Sequence, residues 1–392
     1  MRDIDWDLFS EITSLDHDVV AILKVHAPYL CADEYLSKLL EAGSQAVRRQ
    51  DEDTAVALVT QGLAHLVPQE AVAPSGLADS LDDSLAGSTD RELFPLVFFA
   101  YVLPNTLELF ARLPATDTQI KDTLCDIGRW IAVYRANHGG ALGCDRYHWL
   151  MHQFCAHLVQ LGRLQYQMDR FPFPYTLYRS RTNGAWHCLA DAGLNIDSTG
   201  HIGLPGTSVG RLWTTIREVQ GDRMLAHETD IDRGVVLHEP VSLYIGDLES
   251  VIVPGSAVLR LHIPEGGPLD PAAVDASLAL AQSFFSQRNI PSSVLVCDSW
   301  LLDPALDDFL PTQGNICAFM HRFMKFPVFR PSSQSQIFER VFGSRFTLDQ
   351  LDTWPCTTRL QISLRDYLRQ GGHVYTTGGF LTEWCAGNHH NR

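Results

Sequence analysis

Positive charge is scarce in this chain of 392 residues. Lys and Arg number 30 against 46 Asp and Glu, a net of −16 with His neutral. That balance argues against sequence-independent nucleic-acid binding, which needs Lys and Arg to displace the counterions of phosphates. It argues equally against docking on anionic lipid. Long apolar runs are missing too. The greasiest stretch, Leu93 to Leu103, is eleven residues and carries Pro95, whereas a membrane span needs roughly 20. The opening residues Met1 to Trp6 are acidic and lack the apolar core of a secretory signal. No CxxC occurs. The nine cysteines (Cys31, Cys125, Cys144, Cys155, Cys188, Cys297, Cys317, Cys356 and Cys385) are scattered and odd in number, which reads as reduced thiols in a cytoplasmic protein. The absence of GxSxG, HExxH, GxxxxGK and GxGxxG turns away the standard hydrolase, metalloprotease, P-loop and Rossmann readings.

What is present is 45% hydrophobic and 19% charged, a composition that suits a globular chain of about two domains. The acid excess is uneven. Gln50 to Asp90 holds eight Asp and Glu and no Lys or Arg, half of the whole imbalance. The first ~165 residues carry helical apolar spacing: Asp33 to Leu40, Thr54 to Val59, Phe94 to Leu113, Asp117 to Ala136 and Asp145 to Met168. In the last of these, Leu150, Phe154, Leu158 and Leu161 share one face. Pro68 to Thr89, rich in Ala, Ser, Gly, Pro and Asp, reads as a loop. Short β-prone runs follow Phe171: Tyr175 to Tyr178, Val235 to Leu237, Val241 to Tyr244, Val251 to Val253 and Val258 to His262. After them the pattern predicts a helix over Pro271 to Gln287 and a strand over Ser293 to Cys297. It then predicts a helix at Asn315 to Phe323, a strand at Gln336 to Phe342, a helix at Thr358 to Arg369 and a strand near His373 to Thr377. Gly378-Gly379 and Gly371-Gly372 read as turns, and Asn388 to Arg392 as a solvated tail. The expected organisation is α+β: a helical domain over residues 1–170, then a mixed domain over 171–392.

Leu259 to Asp303 is the stretch that best suits chemistry. A strand ends in Leu261-His262-Ile263-Pro264, and a turn, Glu265-Gly266-Gly267-Pro268-Leu269, leads into a helix. Asp270 suits the N-cap and Pro271 the first helical position. A second strand ends in Cys297-Asp298-Ser299-Trp300. A glycine-bearing turn at a helix N-terminus can offer N–H groups and the positive dipole end to a phosphate, or can be purely structural.

Several strings resemble an acyltransferase-domain family of bacteria: Leu161-Gly162-Arg163-Leu164-Gln165, Leu261 to Leu269, Ser299 to Pro304, Asn315-Ile316, Arg340 to Gly343, Arg359-Leu360-Gln361 and Leu368 to Gly372. In that family a helical N-terminal domain precedes a domain resembling GCN5-related N-acetyltransferases (GNAT). The resemblance implies CoA-dependent transfer of an acyl group to an amine of a small molecule or peptide. Val258 to His262 then resembles the central strand and Glu265 to Leu269 the pyrophosphate turn. Gly266, Gly267, Leu269 and Asp270 are the residues expected to meet the cofactor, acyl-CoA. The strand ending at Cys297 resembles the one that splays away to admit the thioester. The usual turn has Arg or Gln, two residues, Gly, one residue, then Gly or Ala. This chain has Pro-Glu-Gly-Gly-Pro-Leu, and Pro268 brings no N–H. An alternative is therefore a GNAT-like module that binds without catalysing.

In the enzymatic reading His262, with an ordinary pKa near ~6.5, is the candidate general base and Glu265 a second. Ser299 or Tyr244 would protonate the leaving thiolate. Cys297 is either a covalent nucleophile with His262 as base or a buried strand residue. Arg260, Arg322, Lys325 and Arg359 could meet a phosphate. Cys144, His148, His152 and Cys155 share a face if the segment is helical. Eleven residues rise ~16 Å, however, and one ion needs ligands at ~2.0–2.3 Å, so no metal is expected. Oligomeric state is not legible.

Overall fold

The computed structural model describes residues 29–30, 94–203, 210–286, 294–329, 333–343, 346–382 and 384. The expected helices at 33–40 and 54–59, the loop 68–89, the acidic stretch 50–90 and the tail 388–392 lie outside the described residues. The chain divides into two compact units, Met1–Leu161 and Gly162–Arg392.

In the first unit, α1 (Phe94–Ala111), α2 (Asp117–Leu124), α3 (Asp126–Asn137) and α4 (Tyr147–Phe154) precede strand β1 (Leu158–Leu161). A capping box starts α2. The Thr116 hydroxyl accepts from the Gln119 N–H, and the Gln119 amide oxygen accepts from the Thr116 N–H. Asp126 is 7% exposed. Its carboxylate accepts from Trp130 and Trp149 Nε1 and from Gln153 Nε2, and it pairs with Arg129. These bonds tie α3 to α4, and a buried carboxylate is tolerated only when satisfied in this way.

Three expectations are corrected here. The single helix over Asp117 to Ala136 is two, meeting at Cys125. The helix over Asp145 to Met168 ends at Phe154. Ala156 then takes a positive φ of 54° and Gly162 one of 69°, and the chain continues as strand on either side of Gly162. Cys125 is disulfide-bonded, while the six other described cysteines are free thiols. Spacing could not reveal this, because a disulfide depends on through-space proximity.

The second unit has β2 (Leu164–Arg170), β3 (Tyr175–Ser180), β4 (Trp186–Ala190), β5 (Asn195–Ile196), β6 (Trp213–Thr214), β7 (Arg217–Gln220), β8 (Arg223–Ala226), β9 (Thr229–Asp230), β10 (Val235–Val236), β11 (Val241–Tyr244) and β12 (Leu248–Ile252). These are followed by β13 (Ala257–His262), α5 (Pro271–Ser286), β14 (Leu295–Ser299), α6 (Asn315–Met320), β15 (Met324–Pro327), α7 (Ser333–Phe342), α8 (Arg359–Arg369) and β16 (Thr377–Leu381). The central sheet runs β2-β13-β14-β16-β15 through this unit. β13 pairs antiparallel with β2 from Ala257↔Arg170 to His262↔Gln165, and parallel with β14. β3 to β12 form small antiparallel sheets between β2 and β13 in sequence.

Each face of the central sheet has its own cover. On one, Leu164 N–H donates to Ser277 Oγ of α5 and the Tyr166 hydroxyl meets the same oxygen at 3.0 Å. On the other, Val258 and Val296 join a core of Phe171, Phe173, Tyr175, Phe326 and Phe380, each fully buried aromatic being worth about 1.5–3 kcal/mol.

Two more expectations change. Gln336 to Phe342 is helix rather than strand, because Ile337, Phe338, Val341 and Phe342 place four buried side chains on one helical face. The last strand begins at Thr377 and contains Gly378 and Gly379. They are strand glycines because a Cβ on Gly378 would overlap the Phe326 ring, and one on Gly379 would lie 2.9 Å from Leu302 and Phe323.

Candidate active site

β13 and β14 run side by side, but their pairing covers only Leu259↔Leu295 and Arg260↔Val296. Both strands continue beyond it, to His262 and to Ser299. The pairing ends where the sequence places its candidate residues.

Side chains alternate between faces along a strand, and paired residues share a face. Register therefore assigns the sides. Arg260, His262, Val296 and Asp298 belong to one face, together with Gln165, Gln167 and Asp169 of β2. Leu259, Leu261, Leu295, Cys297 and Ser299 belong to the other. On the first face, polar groups join three strands. Arg260 Nη1 donates to Asp169 Oδ2 at 2.9 Å, and its Nη2 donates to Asp298 Oδ1. His262, half-buried, lies with Nε2 2.7 Å from Gln167 Oε1. A carbonyl oxygen only accepts, so a ring that donates from Nε2 to this oxygen keeps Nδ1 as its basic nitrogen when neutral.

Cys297 is not brought together with His262. It stands on the opposite face, is 1% exposed, and burial pushes its thiol far above the ordinary value. A thiol held protonated is a poor nucleophile. Ser299 shares the Cys297 face, and its Oγ accepts from the Leu301 N–H, capping a short 3₁₀ turn. Tyr244 is 53% exposed on β11, in a separate three-stranded sheet.

The turn after β13 is stretched by two glycines at φ +99° (Gly266) and +73° (Gly267), values that other residues rarely adopt. Beyond the chain neighbours, no described residue places an atom within 4 Å of where either Cβ would stand. Leu269 is buried. Asp270 is the N-cap, its carboxylate accepting from the Ala273 N–H at 3.1 Å, so a negative group already occupies the start of α5. Glu265 is exposed and lies 4.0 Å from Arg340. Arg163 holds the turn from the other side. Nη1, Nη2 and Nε donate to the carbonyls of Pro264, Gly267 and Pro268 at 2.9, 3.0 and 3.0 Å.

Of the four basic residues expected to meet a phosphate, three are committed elsewhere. Arg260 bridges two carboxylates, Arg322 pairs with Asp275, and Lys325 is 4% exposed. Arg359 is exposed. Arg163, Gln167, Asp169 and Asp298 were missed as site residues by sequence reasoning. The alternation Gln165, Gln167, Asp169 was the available signal, hidden because the segment read as helix. A separate cavity among β5, β6 and β10, lined by Asp197, Arg211, Trp213, Arg233 and His238, holds none of the sequence-predicted residues.

Comparison with known proteins agrees with this architecture. The fold is similar to that of an acyltransferase crystallised with decanoyl-CoA, at TM-score 0.56 and 19% identity over 90% of this chain and 87% of that one. It is also similar to an acyltransferase crystallised with decanoyl-CoA and teicoplanin, at TM-score 0.55 and 19% identity over 89% and 87%. Among curated proteins, none matches the chain by sequence. Residues 7–156 match the N-acyltransferase N-terminal domain and residues 158–381 the GNAT-like C-terminal domain. The chain belongs to the acyltransferase family that these two domains define.

Proposed function

We propose that the protein transfers an acyl group from acyl-CoA to an amine of a small molecule or peptide. The observation that carries this reading is the end of the β13–β14 pairing at Arg260↔Val296, with His262 beyond it and the glycine turn directly after His262. A gap between strands that lie paired below it can admit an extended thioester arm and offer it backbone N–H groups. The acyltransferases with this fold that were crystallised with decanoyl-CoA support the same donor class.

In the proposed reaction the acceptor nitrogen attacks the thioester carbonyl carbon. The C–N bond forms, the C–S bond breaks, and the thiolate leaves to be protonated. His262 takes one proton from the acceptor's ammonium, freeing the nitrogen lone pair for attack, and the second proton, shed by the nitrogen once the C–N bond has formed, goes to the leaving thiolate. Cys297 plays no covalent part, so transfer is direct.

A second reading, binding without catalysis, is favoured by Pro268, which removes an N–H from the turn, and by Asp270, which places negative charge at the helix start. Thermal shift with CoA, acetyl-CoA and longer acyl-CoAs at millimolar concentration tests the first step. A ligand at a hundred times its Kd adds about 2.7 kcal/mol, and no shift would end the acyl-CoA reading and leave the second. A CoA shift without any acyl transfer to an amine panel would favour the second.

A further inference from the structure

We propose that Arg163 is a positioning residue for the pyrophosphate of acyl-CoA: it grips the turn 264–268 and aims the N–H groups of Glu265 and Leu269 at the ligand. This deepens the proposed function and rests on it. Three guanidinium N–H groups end on three carbonyls of one short turn. In a planar trans peptide the N–H points opposite to the C=O. The Pro264 and Pro268 carbonyls, drawn to Arg163, therefore turn the N–H of Glu265 and of Leu269 to the other side. The third gripped carbonyl, that of Gly267, belongs to the peptide whose nitrogen is Pro268 and brings no N–H. The turn thus keeps two oriented donors in spite of the proline that departs from the usual motif.

Space and charge agree with this assignment. Around Gly266 and Gly267 the described residues leave the backbone open, with none but the chain neighbours within 4 Å of either Cβ position. A phosphate can approach the chain there as closely as glycine permits. The Asp270 carboxylate at the N-cap of α5 opposes an anion. Arg163 brings positive charge to the turn: its partners there are neutral carbonyls, and among the described residues no carboxylate forms an ion pair with it. Glu265, the acidic residue of the turn, lies against Arg340 instead. A guanidinium fits this place better than an ammonium, because its planar fork reaches three acceptors at fixed angles.

Calorimetric Kd values for CoA and for decanoyl-pantetheine, which lacks the pyrophosphate, test the proposal on the full chain and on Arg163→Gln and Arg163→Lys. Circular dichroism establishes that each variant is folded. The expected result is CoA binding weakened about tenfold or more in Arg163→Gln and to an intermediate degree in Arg163→Lys, with decanoyl-pantetheine unchanged in both. Unchanged CoA affinity in the variants would overturn it. So would an equal loss for CoA and decanoyl-pantetheine, which marks a brace for the fold alone. Should Arg163→Gln fail to fold, Arg163→Lys carries the same comparison. A wild-type chain that binds neither ligand defeats the proposed function itself, whereas tight wild-type CoA binding that is indifferent to Arg163 defeats only this assignment.

Discussion

His262 Nε2 and Gln167 Oε1 lie 2.7 Å apart, across neighbouring strands of the sheet. A neutral ring that donates from Nε2 to this oxygen accepts its next proton at Nδ1. His262→Ala is expected to lower acyl transfer about 10²–10⁴-fold with CoA affinity retained, the usual range for a lost general base. Gln167→Glu puts a carboxylate beside the ring and favours imidazolium. Because the base must be neutral to act, the acidic limb of kcat/KM should then move to higher pH. A limb that stays in place would exclude His262 as the group whose ionisation it reports.

Cys297 and His262 occupy opposite faces of the sheet. Cys297→Ala should leave kcat/KM within about threefold, since a buried cysteine contributes as a small apolar side chain. Native protein treated with iodoacetamide should carry no label at Cys297 by peptide mass mapping. A label there, with activity lost in proportion, would restore the covalent mechanism.

The strand-turn-helix-strand order around His262 was legible because its signals are local. Asp270-Pro271 marks the start of α5 and the observed ends lie within two residues of those expected. What the sequence hid is non-local. The helical spacing of Leu150, Phe154, Leu158 and Leu161 runs straight into the period-two pattern of Leu164–Arg170. Only Gly162 and the tertiary sheet separate the two. Without β2 as a strand, Gln167 and Asp169 had no face to share with His262 and Arg260. The opposition of Cys297 and His262 follows from the register of β13 on β14, which no single segment encodes.

Arg260 reaches past the last β13–β14 pair to Asp298 while also holding Asp169. Removing one partner of a buried pair leaves an uncompensated charge, worth about 3–5 kcal/mol. Asp298 is 9% exposed but Asp169 is 33% exposed, which places the expected cost of Arg260→Met at the lower end, about 3 kcal/mol. Asp298→Leu added to Arg260→Met should recover part of it. Denaturant unfolding measures both. A loss under about 1 kcal/mol, the range of exposed pairs, would show that the ions are already solvated.

Asp303 is 5% exposed and spans two elements, its carboxylate accepting the N–H of Ala305 at 3.0 Å and that of Tyr375 just before β16. Burial, only partly offset by those donors, raises its carboxyl from 3.8 to about 6. The native state then binds the proton more tightly than the unfolded chain does. This contribution to stability is complete below about pH 4 and is lost as pH rises to about 6. At 1.36 kcal/mol per pH unit the change is on the order of 3 kcal/mol. Asp303→Asn cannot titrate, and its amide can accept from one of the two N–H groups while facing the other with an N–H of its own. Urea unfolding of both proteins between pH 4 and pH 7 should therefore show wild type ahead by most at pH 4, with the gap narrowing toward pH 6. Parallel curves would mean that Asp303 stays ionised throughout, so that the two backbone N–H groups, rather than burial, set its charge.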